Sequence, residues 1–319
     1  MRGLSMETLR PGSRHAARGA STICLSVLSP LVFWGGLAAG CADEDEMLTL
    51  PAENPDPEAP QAESVVEAAA AQPNEDMRER APVQCQEPLD LTLVLDVSTS
   101  MGGELGAIAD GVDALWAAAQ SDYTDVRFRM VAFVDDATTV DNCAPFESPE
   151  AMRDAVVHWQ RFASGNRQLV TPGLSNHDCP ENSLDALALA LKSCDLRPEA
   201  RKLIVHITDD TFVEAPGFLS QGSVQIGIPV EHTYADIATL VTEQDVYVSV
   251  FALREPRACG AGGSSEVASG FFTPRGGIAP LPELVGGNAT DLRRVRDGEV
   301  DLAAAIIADS SAIKCGGLI

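Results

Sequence analysis

The sequence predicts a doubly wound α/β domain, a mainly parallel sheet with helices on both faces. Short apolar runs such as residues 91–95 and 203–207 recur along the chain. They have the length and β-type composition of strands buried on both faces. Between them lie segments whose apolar residues fall at helical spacing, and strands alternating with helices argue for a parallel sheet covered on each side. Two of the runs also end on carboxylates, at Asp96 and at Asp209-Asp210.

The elements follow in order. After the strand at 91–95, Leu105, Ile108, Ala109, Val112, Leu115, Trp116 and Ala119 share one helical face. Residues 126–134 read as the next strand and 138–142 as a short third. Residues 148–162 read as a helix with Ser148 at the cap, Pro149 at the first position and Glu150 in the first turn. A helix at 183–194 carries Leu184, Leu187, Ala188 and Leu191 on one stripe. The strand at 202–207 ends at Thr208-Asp209-Asp210. A helix at 231–242, a strand at 246–253 and a closing helix at 300–313 complete the pattern. Residues 214–230 and 254–282 read as long loops rich in Gly and Pro, a kind that carries function.

The 319 residues carry a formal charge of -25. Such a surface repels nucleic acid and anionic lipid and attracts divalent cations. The amino terminus differs: Arg2, Arg10, Arg14 and Arg18 stand against Glu7, followed by an apolar run over 23–37, broken by Pro30, and then Ala38-Ala39-Gly40-Cys41. The run is short for a spanning helix and has the layout of a secretion signal over 1–40. Small residues directly before a cysteine resemble the cleavage box of bacterial lipoproteins, with Ala38 where that box usually has leucine. The resemblance implies that Cys41 is lipidated and that the exported protein is anchored to a membrane of a bacterial cell envelope; plain secretion is the alternative. Residues 41–84 hold twelve acids against Arg78 and Arg80, with almost no aromatic content. That is the composition of an acidic, disordered tether. The folded domain is expected over 85–319.

Apart from Cys24 and Cys41, six cysteines remain: Cys85, Cys143, Cys179, Cys194, Cys259 and Cys315. An even set without CxxC spacing reads as disulfides in an oxidising compartment, not as a zinc site. Six cysteines allow fifteen pairings. Cys85 and Cys315, just outside the two ends of the folded region, are the preferred staple.

Three segments carry chemistry: Asp96-x-Ser98-x-Ser100 after a strand, Asn176-x-Asp178-x-Pro180-Glu181 before a helix, and Thr208-Asp209-Asp210 after another strand. Open α/β sheets bind ligands beyond the carboxyl ends of their strands. Carboxylate and hydroxyl oxygens there suit a hard cation. Asp210 reads as a solvated loop acid, His177 as exposed and His206 as a hydrogen-bonded core residue. Ser98 or Ser100 with His206 and Asp209 invites a hydrolase reading. The chain has no Gly-x-Ser-x-Gly elbow, phosphate-binding loop or nicotinamide fingerprint, so it reads as non-catalytic.

The segment DVSTS resembles the metal-ion-dependent adhesion site of von Willebrand factor A domains, which have a doubly wound α/β fold. The resemblance implies a cation held by Asp96, Ser98 and Ser100, by a residue of the middle loop, and by Asp209. The middle loop, NHDCPENSLDAL, resembles that of integrin β subunits, which makes Glu181 the ligand there. It also implies a second cation at Asn176, Asp178, the Pro180 carbonyl and Glu181. A third site in those relatives needs two acids just after the Ser-x-Ser; here the positions hold Gly103 and Glu104. Three carboxylates around one doubly charged ion leave excess negative charge, which a second ion sharing Glu181 offsets. The implied ions are Mg2+ or Mn2+ at the first site and Ca2+ at its neighbour. The implied partner is a protein or peptide whose carboxylate completes the coordination, in adhesion or assembly. The alternatives are cations that only hold loops together and, third, a hydrolase.

Overall fold

The computed structural model describes residues 87–171, 176, 179–221, 224–259 and 263–313. The expected signal and tether, Cys41, Cys85, His177, Asp178 and Cys315 lie outside them, and so does the expected Cys85–Cys315 staple. In chain order the elements are β1 (Leu89–Asp96), α1 (Gly102–Asp122), β2 (Val126–Phe133), β3 (Ala137–Thr139), α2 (Pro149–Ala163), α3 (Ser183–Ser193), β4 (Arg201–Ile207), β5 (Phe218–Gln221) and β6 (Val224–Pro229). They continue with α4 (Tyr234–Glu243), β7 (Val246–Ala252), β8 (Arg257–Cys259), β9 (Gly263–Ser265), α5 (Leu281–Val285), β10 (Ala289–Asp291), α6 (Leu292–Arg296) and α7 (Leu302–Ala312).

β1 is buried along its whole length. Side chains alternate across a strand. Leu89, Leu91, Leu93 and Leu95 therefore enter one core with Leu105, Ile108 and Val112 of α1, Met152 and Val156 of α2, and Leu302 and Ile306 of α7. Val94 enters the other, with Leu184, Leu187 and Leu191 of α3 and Ile237 and Val241 of α4. Each fully buried leucine contributes about 1.5–3 kcal/mol. The six strands lie in the order β10-β7-β4-β1-β2-β3. All neighbours are parallel except β2 and β3. This is the doubly wound α/β fold that the sequence predicts.

The helix caps follow the residue chemistry. Ser148 Oγ accepts from Ala151 N–H ahead of Pro149. α4 starts three residues later than its apolar pattern, because Thr233 and Asp236 form a reciprocal capping box. The two long loops are corrected: β5 pairs with β6 and β8 with β9, each as an antiparallel hairpin. The third strand stops at Thr139, because Asp141, Asn142 and Cys143 turn with φ of 49°, 54° and 59°. A disulfide joins Cys143 to Cys194 at the end of α3, with Cα atoms 5.1 Å apart, and so anchors this left-handed turn. Cys179 is also disulfide-bonded.

One polar cluster sits in the core at the amino end of β1. Asp90, fully buried, accepts from Arg197 N–H at 2.6 Å and Nε at 3.0 Å and pairs with Arg129 Nη1 at 3.1 Å. Among the described residues, no helix is long and apolar enough to cross a membrane.

Candidate metal centre

β1 and β4 are adjacent and parallel, but the helix after β1 and the helix before β4 pack on opposite faces. Such a switch point opens a crevice beyond the carboxyl ends of the two strands. The register pairs Leu95 with Ile207, so Asp96 comes beside Thr208. Thr208 Oγ1 donates to Asp96 Oδ2 at 2.8 Å, and Ser98 N–H donates to Asp96 Oδ1 at 2.8 Å. The Ser98 and Ser100 hydroxyls lie 3.1 Å apart, and Ser100 Oγ donates to Asp209 Oδ1 at 3.0 Å. The first and third segments therefore meet.

The middle segment joins them through its backbone. Glu181 N–H donates to Thr211 O at 3.0 Å, and Glu181 bridges to Phe212 in parallel fashion, which fixes it beside the loop that follows β4. Asn182 then caps α3. Glu181 is buried, and its Oε1 accepts from Asn176 Nδ2 at 2.7 Å. Glu181 Oε2 and Asn176 Oδ1 are buried and take no hydrogen bond from the described residues. Pro180 follows a cis peptide bond from Cys179.

These acids share one electrostatic environment. Burial, then repulsion from Asp209, pushes the Asp96 carboxyl up to about 7, against the opposing hydrogen bonds from Ser98 and Thr208. Burial, then Asp96, Asp135 and Asp210, raises Glu181 well above the usual carboxylate range. Asp210 is pushed up to about 6, chiefly by burial, although Arg257 opposes the rise.

Two arginines divide the cluster. Asp209 Oδ1 accepts from Arg257 Nη1 at 2.5 Å, and Oδ2 accepts from Arg296 Nη2 at 2.8 Å. Arg296 Nε also donates to Glu104 Oε1. Arg257 Nη1 reaches Asp210 Oδ2 at 3.1 Å, and Ser265 Oγ donates to Asp210 Oδ1 at 2.9 Å. Asp210 is thus a buried, ion-paired residue, not a solvated loop acid. His206 lies in the core between Phe133 and Phe271, with ring centroids at 5.4 and 5.3 Å, and burial pushes its pKa down to about 3. Among the described residues, no hydrogen bond links it to Ser98 or Ser100.

Among the described residues, no three acid, histidine or cysteine side chains are placed to hold an ion by themselves. Asp96, Ser98, Ser100 and Glu181 bring together two carboxylates and two hydroxyls, with the buried Asp135 nearby accepting from Gln168 Nε2. This oxygen-only set, with the unpaired Glu181 Oε2, fits a hard divalent cation.

The sequence reasoning missed Asp135, Arg257 and Arg296. Asp135 had a signal: it follows the apolar run 130–134 as Asp96 follows the run 91–95. Arg296 had none, since it lies on a five-residue helix 192 positions from Glu104.

No protein-family model and no curated protein sequence matches the chain. Solved structures of similar architecture include proximal thread matrix protein 1 from the mussel byssus, at 15% identity and a TM-score of 0.42 over 71% of this chain and 47% of that one. A second crystal form gives 16% and 0.41, covering 70% and 46%. A third structure of the same protein, described as having a zinc-occupied MIDAS motif, gives the same four values. The chain spans about half the length of these proteins.

Proposed function

We propose that this domain binds a divalent cation through Asp96, Ser98, Ser100 and Glu181, and uses it to recognise a carboxylate on a partner protein or peptide. One observation carries the reading. Glu104, Asp209 and Asp210 are matched by arginines, whereas, among the described residues, the buried carboxylates of Asp96 and Glu181 accept from the neutral donors Ser98 N–H, Thr208 Oγ1 and Asn176 Nδ2. Two buried carboxylates without a cation are costly to ionise. One Mg2+ or Mn2+ balances the pair and supplies the positive charge that attracts a ligand carboxylate. The Asp-x-Ser-x-Ser pattern at the carboxyl end of a central strand supports a site of the von Willebrand factor A type. Asn176, Asp178 and the Pro180 carbonyl, with Glu181, supply oxygens for a neighbouring Ca2+.

Residues 1–40 and Cys41 are read as an export signal and lipid anchor, and 41–84 as the tether that holds the domain away from the membrane. The domain is read as non-catalytic.

Calorimetric titration with Mn2+ tests the site: the wild type binds and Asp96→Ala does not. Absence of binding to the wild type defeats the cation reading. Fluorescence anisotropy with a pool of acidic peptides tests recognition; binding that persists in EDTA defeats it.

The burial of Asp96 and Glu181, with Ser100 the exposed member of the set, favours a second reading in which the ion only ties the loops together. That reading expects a melting temperature that rises with the cation while no peptide binds.

A further inference from the structure

We propose that Arg296 and Arg257 are tethered counter-cations that decide where this domain takes up metal. They close the side formed by Glu104, Asp209 and Asp210 and leave the side formed by Asp96 and Glu181. The open side rests on the cation reading above; the closed side rests on the ion pairs alone.

The geometry is specific. Arg296, at the end of α6, donates from Nε to Glu104 of α1 and from Nη2 to Asp209 beyond β4. One guanidinium therefore spans two carboxylates from distant parts of the chain, as a bridging metal ion does. Both acids are buried, at 5% and 1% side-chain exposure. Arg257, at the start of β8, does the same for Asp209 and Asp210.

A guanidinium is suited to this role. It stays charged at any pH the protein meets, and its planar fork offers several donors to carboxylates. Because it belongs to the chain, its effective concentration is far above that of a weakly held free ion. An acidic crevice of this kind would otherwise gather several divalent ions. The arginines take up three of its carboxylates, those of Glu104, Asp209 and Asp210, and leave those of Asp96 and Glu181 to a free ion.

Removing the guanidinium would open space for an ion. Arg296, Glu104, Ser100, Gly103, Ala107 and Val295 line a cavity of about 390 Å³ beside the ion pairs. A hydrated cation fits there once the side chain is shortened.

The experiment is a count of Mn2+ bound per chain, by equilibrium dialysis of the full chain. Arg296→Gln is expected to bind one Mn2+ more than the wild type. Arg296→Lys, which keeps the charge, is expected to bind no more than the wild type. The double variant Arg296→Gln/Glu104→Gln is expected to lose the added ion. An unchanged count in a folded Arg296→Gln overturns the proposal. If that variant does not fold, Arg257→Gln decides: a gain of one ion that Asp210→Asn removes supports the proposal, and no gain overturns it. A wild type that binds no Mn2+ defeats only the reading of the open side, because a gain from none to one in Arg296→Gln still supports the counter-cation role.

Discussion

Ser100 Oγ donates to Asp209 Oδ1 at 3.0 Å while Arg257 and Arg296 hold the same carboxylate from two other directions. A carboxylate saturated in this way points the Ser100 hydroxyl and leaves its lone pairs for an ion. Asp209 then acts through Ser100. Asp209→Ala should weaken Mn2+ binding about 10–100-fold, the usual effect of losing a residue that orients a ligand. Asp96→Ala should abolish it. Calorimetry on the two variants compares them, and equal losses would place Asp209 among the direct ligands.

Asp96 is buried beside Asp209, and among the described residues its oxygens accept from two neutral donors, Ser98 N–H and Thr208 Oγ1. Its charge therefore works against folding until a cation arrives. Asp96→Asn keeps the shape and removes the charge. In EDTA at pH 8 this variant should melt above the wild type, by about 2–4 °C for each kcal/mol gained in a domain of this size. Adding Mg2+ should raise the melting temperature of the wild type and leave the variant unmoved. A variant that melts below the wild type in EDTA would contradict the argument.

His206 carries a pH dependence of known sign. Its folded pKa is pushed down to about 3 from 6.5 by burial. Below pH 6.5 the unfolded chain takes a proton that the folded chain refuses. The stability it contributes is therefore complete above 6.5 and is lost as pH falls toward 3, by about 1.4 kcal/mol per unit. His206→Phe, placed between Phe133 and Phe271, removes that dependence. Between pH 7.5 and 5.0 the wild type should lose about 2 kcal/mol more than the variant in urea unfolding. Parallel profiles would show that His206 does not titrate in this way.

Asp90 compensates two buried guanidiniums, Arg129 and Arg197, at the end of β1 away from the metal centre. Asp90→Ala leaves Arg129 without this carboxylate and Arg197 with Asp125 in place of two acids, and should cost about 3–5 kcal/mol. Urea unfolding measures the loss. Mn2+ affinity of the folded fraction should not change, since the variant leaves the donor set intact.

Much of this fold was legible in residue order. The leucines of β1, the cap at Ser148 and the stripe on α3 are local patterns, set by the spacing of apolar side chains and the chemistry of helix ends. The hairpins at 218–229 and 257–265 were not legible. Their strands are short and lie among Gly and Pro, where composition signals a loop, and only pairing across the turn makes them strands. The closing segments α5, β10 and α6 are too short to show a period.

The sequence alone brought forward the segments that hold Asp96, Ser98, Ser100, Glu181 and Asp209, because they border elements with a readable apolar pattern, and their resemblance to a known adhesion site implied these residues as the constellation. The tertiary structure decided how those acids are shared out. Whether a carboxylate faces an arginine or a neutral donor depends on groups far apart in the chain, such as Glu104 and Arg296, and no local spacing records that pairing. Coulomb attraction acts through space, so the charge balance of the crevice could be read only once the fold had brought α1, α6 and β8 around Asp209.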